Sequence, residues 1–128
     1  SELTGIVIIF LLLSLMPIFT SLVSLHNTTG KLNQIADTTV NMAKMVGGFN
    51  ENVVNCFDNM LEELGIGEEN IVVTFTPGVN VLANKRDLIC VDIIYRDDLE
   101  IVGFDKDVMS IKVKIPISAK AYSHYYKK

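Results

Sequence analysis

Between Glu2 and Lys31 the chain has no Asp, Glu, Lys or Arg, and Gly5 to Leu25 is almost wholly apolar, including the run Ile6-Val7-Ile8-Ile9-Phe10-Leu11-Leu12-Leu13. This block constrains the fold more than any other feature. A hydrocarbon core of roughly 30 Å needs about 20 helical residues, and the block supplies them. The 13 Leu, Ile, Val and Phe residues between Ile6 and Val23 contribute roughly −4 to −8 kcal/mol on an insertion scale. Ser14, Pro17, Thr20 and Ser21 take back part of that, and insertion still wins. A secretory signal peptide would carry a basic region first and a shorter apolar stretch; here the chain opens on Ser1-Glu2, as if a leader had been removed just before the anchor.

The rest of the 128 residues form one small domain. A domain of about 80 residues buries only roughly 60 to 65% of its unfolded surface and gains from a cross-link or a covering partner. The formal net charge is −4, with no basic stripe, so nucleic acid is dismissed as a partner.

Helical periodicity continues beyond the apolar block, since Leu32, Ile35, Ala36, Met42, Ala43 and Val46 recur at three-four spacing. The expected helix runs from about Leu3 to Met45, some 65 Å at about 1.5 Å per residue, and Gly47-Gly48 ends it. Asn50 is placed to cap a second helix with an apolar stripe of Val53, Cys56, Phe57, Met60, Leu61 and Leu64, and Gly65 stops it. After Gly67, β-branched runs separated by turn residues predict an antiparallel sheet. The expected strands are Ile71 to Thr76, Leu88 to Tyr95, Leu99 to Phe104 and Val108 to Tyr122, with Val79 to Leu82 as a possible short fifth. Turns are expected at Pro77-Gly78, 84–87, Arg96-Asp97-Asp98 and 105–107. In the last strand Ile111, Val113, Ile115, Ile117, Ala119 and Ala121 alternate with polar residues, so one face is buried; Pro116 has no N–H to donate and puts that strand at an edge or a bulge. The predicted class is therefore α+β: a long N-terminal transmembrane and amphipathic helix, a short second helix, then a small antiparallel sheet of three to five strands. Its expected parts are 1–27 as transmembrane or filament-core helix, 28–48 as amphipathic continuation, and 49–128 as an extracellular domain.

Glu2 has two readings. It is either a helix-start acid at the headgroups, favoured by the helix dipole, or it pairs with the α-amino group of Ser1 on a neighbouring subunit when the helices bundle. A lone buried charge costs several kcal/mol, so the second pairing would fix one axial stagger. Pro17 removes a mid-anchor hydrogen bond to the Leu13 carbonyl and is expected to kink or open the helix. Neighbouring helices tolerate such defects in membranes.

The acid at the start, the apolar helix with its central proline, the amphipathic extension and the sheet domain together resemble the type IV pilin superfamily. Within it, the tail Val113-Lys114-Ile115-Pro116-Ile117-Ser118-Ala119-Lys120-Ala121-Tyr122-Ser123-His124-Tyr125-Tyr126 is similar to the end of TadE-like pilins, including small relatives from Gram-positive bacteria. Type IV pilins usually place the acid fifth, after an N-methylated aromatic, whereas this chain has Ser1 and Glu2. The resemblance implies a prepilin peptidase, storage as a bilayer-anchored monomer, and extrusion by an assembly ATPase into a helical homo-oligomeric filament outside the cell. The expected function is that of a structural pilin-like subunit; the alternative is a single-pass anchored surface binding domain or a minor pseudopilin.

An even cysteine count outside the cell predicts a Cys56–Cys90 disulfide, which would close a loop of about 35 residues and stabilise by roughly 3.5 to 4 kcal/mol in the chain-entropy model. Unpaired core thiols are the other reading. Asn27-Thr28-Thr29 fits the glycosylation triplet. His26, His124 and two cysteines make no metal-ligand set, and Asp97, Asp98, Asp105 and Asp107 read as solvated turns without EF-hand spacing. Tyr122, Tyr125 and Tyr126 with nearby lysines read as a polar strand end. No catalytic motif is present, so the chain reads as a non-enzyme without a cofactor.

Overall fold

The computed structural model describes residues 1–83, 87–102 and 108–123, with side chains for all of these except 99–102, 108 and 109. The order of elements is α1 (Glu2–Val46), α2 (Glu51–Leu64), a 3-10 turn (Glu68–Asn70), β1 (Ile71–Thr76), β2 (Leu88–Val102) and β3 (Val108–Tyr122). The chain divides into two units, Ser1–Thr28 with Asp97–Val113, and Thr29–Arg96 with Lys114–Lys128. The first holds the apolar part of α1 and the far ends of β2 and β3.

The second unit holds the core. Along α1, Leu32, Ile35, Ala36, Thr39, Val40 and Ala43 are buried, the spacing of one helical face. The Thr39 hydroxyl donates to the Ile35 carbonyl at 2.7 Å, so its burial leaves nothing unpaired. The helix ends at Gly47, whose φ of 83° is open to glycine without strain, and both Gly47 and Gly48 donate to the Ala43 carbonyl. Gly48 is required for a second reason: a Cβ there would sit 2.5 Å from the Val81 carbonyl oxygen. The Asn50 side chain caps α2 by accepting from the Val53 N–H at 2.9 Å, and Gly65, left-handed at φ 79°, closes it. Val53, Phe57 and Leu61 are the buried positions of α2.

The three strands form an antiparallel sheet in the order β1-β2-β3, with Phe75 paired to Val91 and Ile71 to Tyr95. Ile89, Val91, Ile93 and Tyr95 are buried on one face of β2. On that face Phe75 lies 4.7 Å from Phe49 and meets Phe57 of α2 edge-on at 5.3 Å, ring centre to ring centre. Aromatic pairs in this range add about 0.5 to 1.5 kcal/mol beyond the area they bury. Pro116 lies in β3, an edge strand, as its missing N–H requires. At the other end of the hairpin the Ser123 N–H donates to the Asp87 carbonyl at 2.9 Å.

Two expectations about strands need correction. Arg96-Asp97-Asp98 is not a turn, because β2 runs unbroken from Leu88 to Val102. Three charged residues without Gly or Pro do not stop a strand whose neighbour supplies the ladder, and side-chain preference gives way to pairing. Val79 to Leu82 forms no strand: Val79 makes one isolated bridge to Phe49, since the left-handed Asn80 (φ 60°) bends the backbone away. Phe104 and the expected turn at 105–107 lie outside the described residues, as do 84–86.

Candidate assembly surface

Chemistry at the start of α1 is local. The Ser1 hydroxyl accepts from the Thr4 N–H at 3.3 Å and shares a 2.8 Å hydrogen bond with the Thr4 hydroxyl, while the Ser1 carbonyl accepts from Gly5. Ser1 is therefore the N-cap, and Glu2 places a carboxylate in the first turn, where the exposed N–H groups favour negative charge. Beyond it the apolar side chains stand uncovered. Leu3, Ile6, Phe10, Leu13 and Phe19 are each more than half exposed, and nothing in the 18-residue apolar span is buried.

Two hydroxyls in this stretch are turned onto the helix backbone itself. Ser14 donates to the Phe10 carbonyl at 2.8 Å and Thr20 to the Met16 carbonyl at 3.0 Å. Each satisfies itself in place, so these hydroxyls can enter an apolar medium without an orphaned donor. α1 continues through Pro17, which has no N–H for the Leu13 carbonyl. Gly5 and Gly30 have open space where a Cβ would be.

A second surface lies where α1 and α2 run side by side. A cavity of about 630 Å³ there is lined by Met42, Met45, Val46, Val53 and Cys56 together with Thr38, Asn41, Asn50 and Asn52. Thr38 also borders a cavity of about 410 Å³ toward the other end of the same helix pair, lined by Lys31, Met60, Glu63 and Leu64. Both lie along the seam of α1 and α2, with Thr38 between them, and together they form the groove of this helix pair. The sequence reading missed it by treating each apolar stripe as a single buried face. Of the α2 stripe only Val53, Phe57 and Leu61 are buried, while Met60 and Leu64 are half-buried and Cys56 is exposed. On α1, Met45 is 68% exposed. The signal was the width of the stripes, which exceed what one core contact uses.

The expected disulfide is absent: Cys56 and Cys90 are both free thiols, Cys56 exposed on α2 and Cys90 buried in β2. The reason is the pleat. Strand residues alternate between faces, and Cys90 shares its face with Asp92, opposite the face of Val91 and Phe75 against which α2 packs. The sheet separates the two sulfurs. Cys90 instead donates to Asp92 Oδ2 at 3.3 Å and shares a 3.6 Å hydrogen bond with the Ser118 hydroxyl of β3, and Ser118 donates to Asp92 Oδ1 at 2.8 Å. Burial pushes the Cys90 thiol above its ordinary value, the Ser118 hydrogen bond pulls it down, and the Asp92 hydrogen bond and charge push it up. The cluster ties β2 to β3.

Asn27 is exposed but lies inside α1, where its triplet is helical and not in a surface loop. Asp97 and Asp98 lie in β2; Asp105 and Asp107 are outside the described residues. Tyr122 is exposed at the end of β3, and His124, Tyr125 and Tyr126 are beyond the described residues. Among the described residues no group of His, Cys, Asp and Glu is placed to hold a metal. No family model, no curated protein and no solved structure matches this chain.

Proposed function

We propose that the chain is a structural subunit, anchored in a membrane by α1 and then polymerised through that helix into an extracellular filament of the type IV pilin kind. One observation carries this reading. Among the described residues, a single unbroken helix begins with a charge-free apolar stretch that stands exposed and ends with a stretch whose inner face is buried. Fully removing one Leu, Ile or Phe from water stabilises by about 1.5 to 3 kcal/mol, so more than a dozen such side chains do not rest in water. Lipid satisfies them first. Copies of the same helix satisfy them equally well, since lipid tails are as apolar as leucine, and contacts of one patch with a different patch on the next copy produce open helical fibres.

A peptidase that trims the start and an ATPase that drives extrusion belong to this proposal, and its mode of action is assembly, not catalysis. A simple anchored monomer, displaying the domain as a binding module or minor subunit, is the competing reading. It is favoured by the fact that one apolar helix suffices to hold a monomer. Electron microscopy of sheared surface material with antibody against the domain separates the two. Labelled fibres are expected, and Glu2→Leu is expected to abolish them while the protein still fractionates with membranes. Full recovery as a detergent-solubilised monomer, with no labelled fibre, would sink the proposal in favour of the anchor.

A further inference from the structure

We infer that the groove between α1 and α2 receives the N-terminal helix of a second copy, running parallel to α1, with the second copy's Glu2 at Lys31. This rests on the reading of the chain as a polymerising subunit and adds to it a receiving surface and a stagger. The groove is open; Met42, Met45, Val46, Val53 and Cys56 give it an apolar and sulfur-bearing floor, uncharged Asn and Thr side chains line it beside them, and charge stands only at one end, at Lys31 and Glu63. The apolar part of α1 has the same pattern: no Asp, Glu, Lys or Arg from Leu3 to Gly30, His26 as its one basic residue, and one carboxylate at its tip. A helix pair with an unfilled seam is a seat for a third helix, and copies of one chain inserted in one bilayer share one direction.

Parallel alignment with Glu2 level with Lys31 offsets the two helices by 29 residues, since 31 minus 2 is 29, or about 44 Å at 1.5 Å per residue. The stretch from Leu3 to Pro17 then lies along Leu32 to Val46, the length of α1 that borders the groove. Leu13 comes level with Met42, and Met16 with Met45. The other lysine on α1, Lys44, does not line the groove, and pairing Glu2 with it would leave only two residues of α1 beside the incoming helix. Antiparallel alignment through Lys31 would carry the helix away from the groove. Glu63 and Lys31 are both exposed at this end, so water screens the repulsion and the attraction alike; the apolar length carries the seating and Lys31 sets the register.

The native thiol of Cys56 lines the groove with Met42 and Met45 and reports the stagger directly. In full-length protein oxidised in its assembled form, single cysteines are introduced from Val7 to Val23 in a background where Cys90 is alanine. A disulfide needs Cα atoms within about 7 Å, so covalent ladders through Cys56 are expected to peak at Leu12→Cys, Leu13→Cys or Met16→Cys, several-fold above Val7→Cys or Val23→Cys. Glu2→Lys and Lys31→Glu are each expected to remove the ladder, and the double variant to restore it. Fibres that form with the ladder peaking elsewhere, or with no ladder at any position, would overturn the stagger and leave the proposed function standing. Loss of fibres and ladders in every variant and in the unmodified chain would overturn both.

Discussion

The two ends of α1 use similar residues and meet opposite fates. Leu32, Ile35 and Val40 are buried by α2 and the sheet, whereas Leu12, Ile9 and Val23 are about as apolar and stand exposed. What differs is what alternates with them. From Leu32 onward, Asn33, Gln34, Asp37 and Asn41 give the helix a wet side, and a wet side defines a direction in which to pack. From Leu3 to Leu25 no such side exists, so the helix is ready for an apolar surrounding on all sides. Burial by the chain itself therefore depends on amphipathic pattern, and apolar content alone calls for another molecule.

The largest test of this contrast is Phe57→Ala. Truncating this buried ring should cost the domain about 3 to 5 kcal/mol in denaturant unfolding followed in micelles, while Leu12→Ala should leave the same transition within about 0.5 kcal/mol. Equal losses from both would break the comparison, since they would mean that Leu12 is covered by its own chain. Leu12→Lys should shift membrane partitioning by about 3 kcal/mol without moving domain unfolding, checked by flotation beside the unfolding curve. Asn50→Ala, which removes the α2 cap, should cost about 1 kcal/mol and leave flotation unchanged.

The smallest effect is one of pH at Cys90. Its thiol is raised in the folded state, mainly by burial, so the folded form holds its proton more tightly than the unfolded one. The contribution is complete below about 8.5, the ordinary thiol value. It is lost as pH rises from there through the folded-state value. Melting temperature should accordingly fall more steeply from about pH 8.5 to about pH 10, the window above that value, in the native chain than in Cys90→Ala. Iodoacetamide should modify the exposed Cys56 well before Cys90.

The elements with local signals were legible from sequence. Asn50, Gly47 and Gly65 mark helix ends by chemistry that acts within a few residues, and β1 and β3 have the limits that their alternation predicts. Errors arose where a distant partner decides. Arg96-Asp97-Asp98 reads as a turn until β3 is known to run beside it, and a Cys56–Cys90 bridge is plausible until the pleat puts Cys90 behind the sheet. The groove was hidden for a related reason. Periodicity shows that Met42, Val46, Cys56 and Met60 lie near an apolar stripe, but only the crossing of α1 with α2 shows which edge of the stripe stays open. Ser1, Glu2 and Pro17 were visible as residues, and the structure places them as the cap, the first-turn acid and an interior position of α1.

The junction after α1 has a mechanical consequence. Ala83 donates to the Gly47 carbonyl at 2.6 Å and Asn80 to the Phe49 carbonyl at 2.9 Å, so the loop that follows β1 is bonded to the chain just past the end of the helix. Tension passing from α1 into the chain beyond it meets this junction early, and two hydrogen bonds share the load there. A side chain at Gly48 would meet the Val81 carbonyl and push the two segments of this clasp apart.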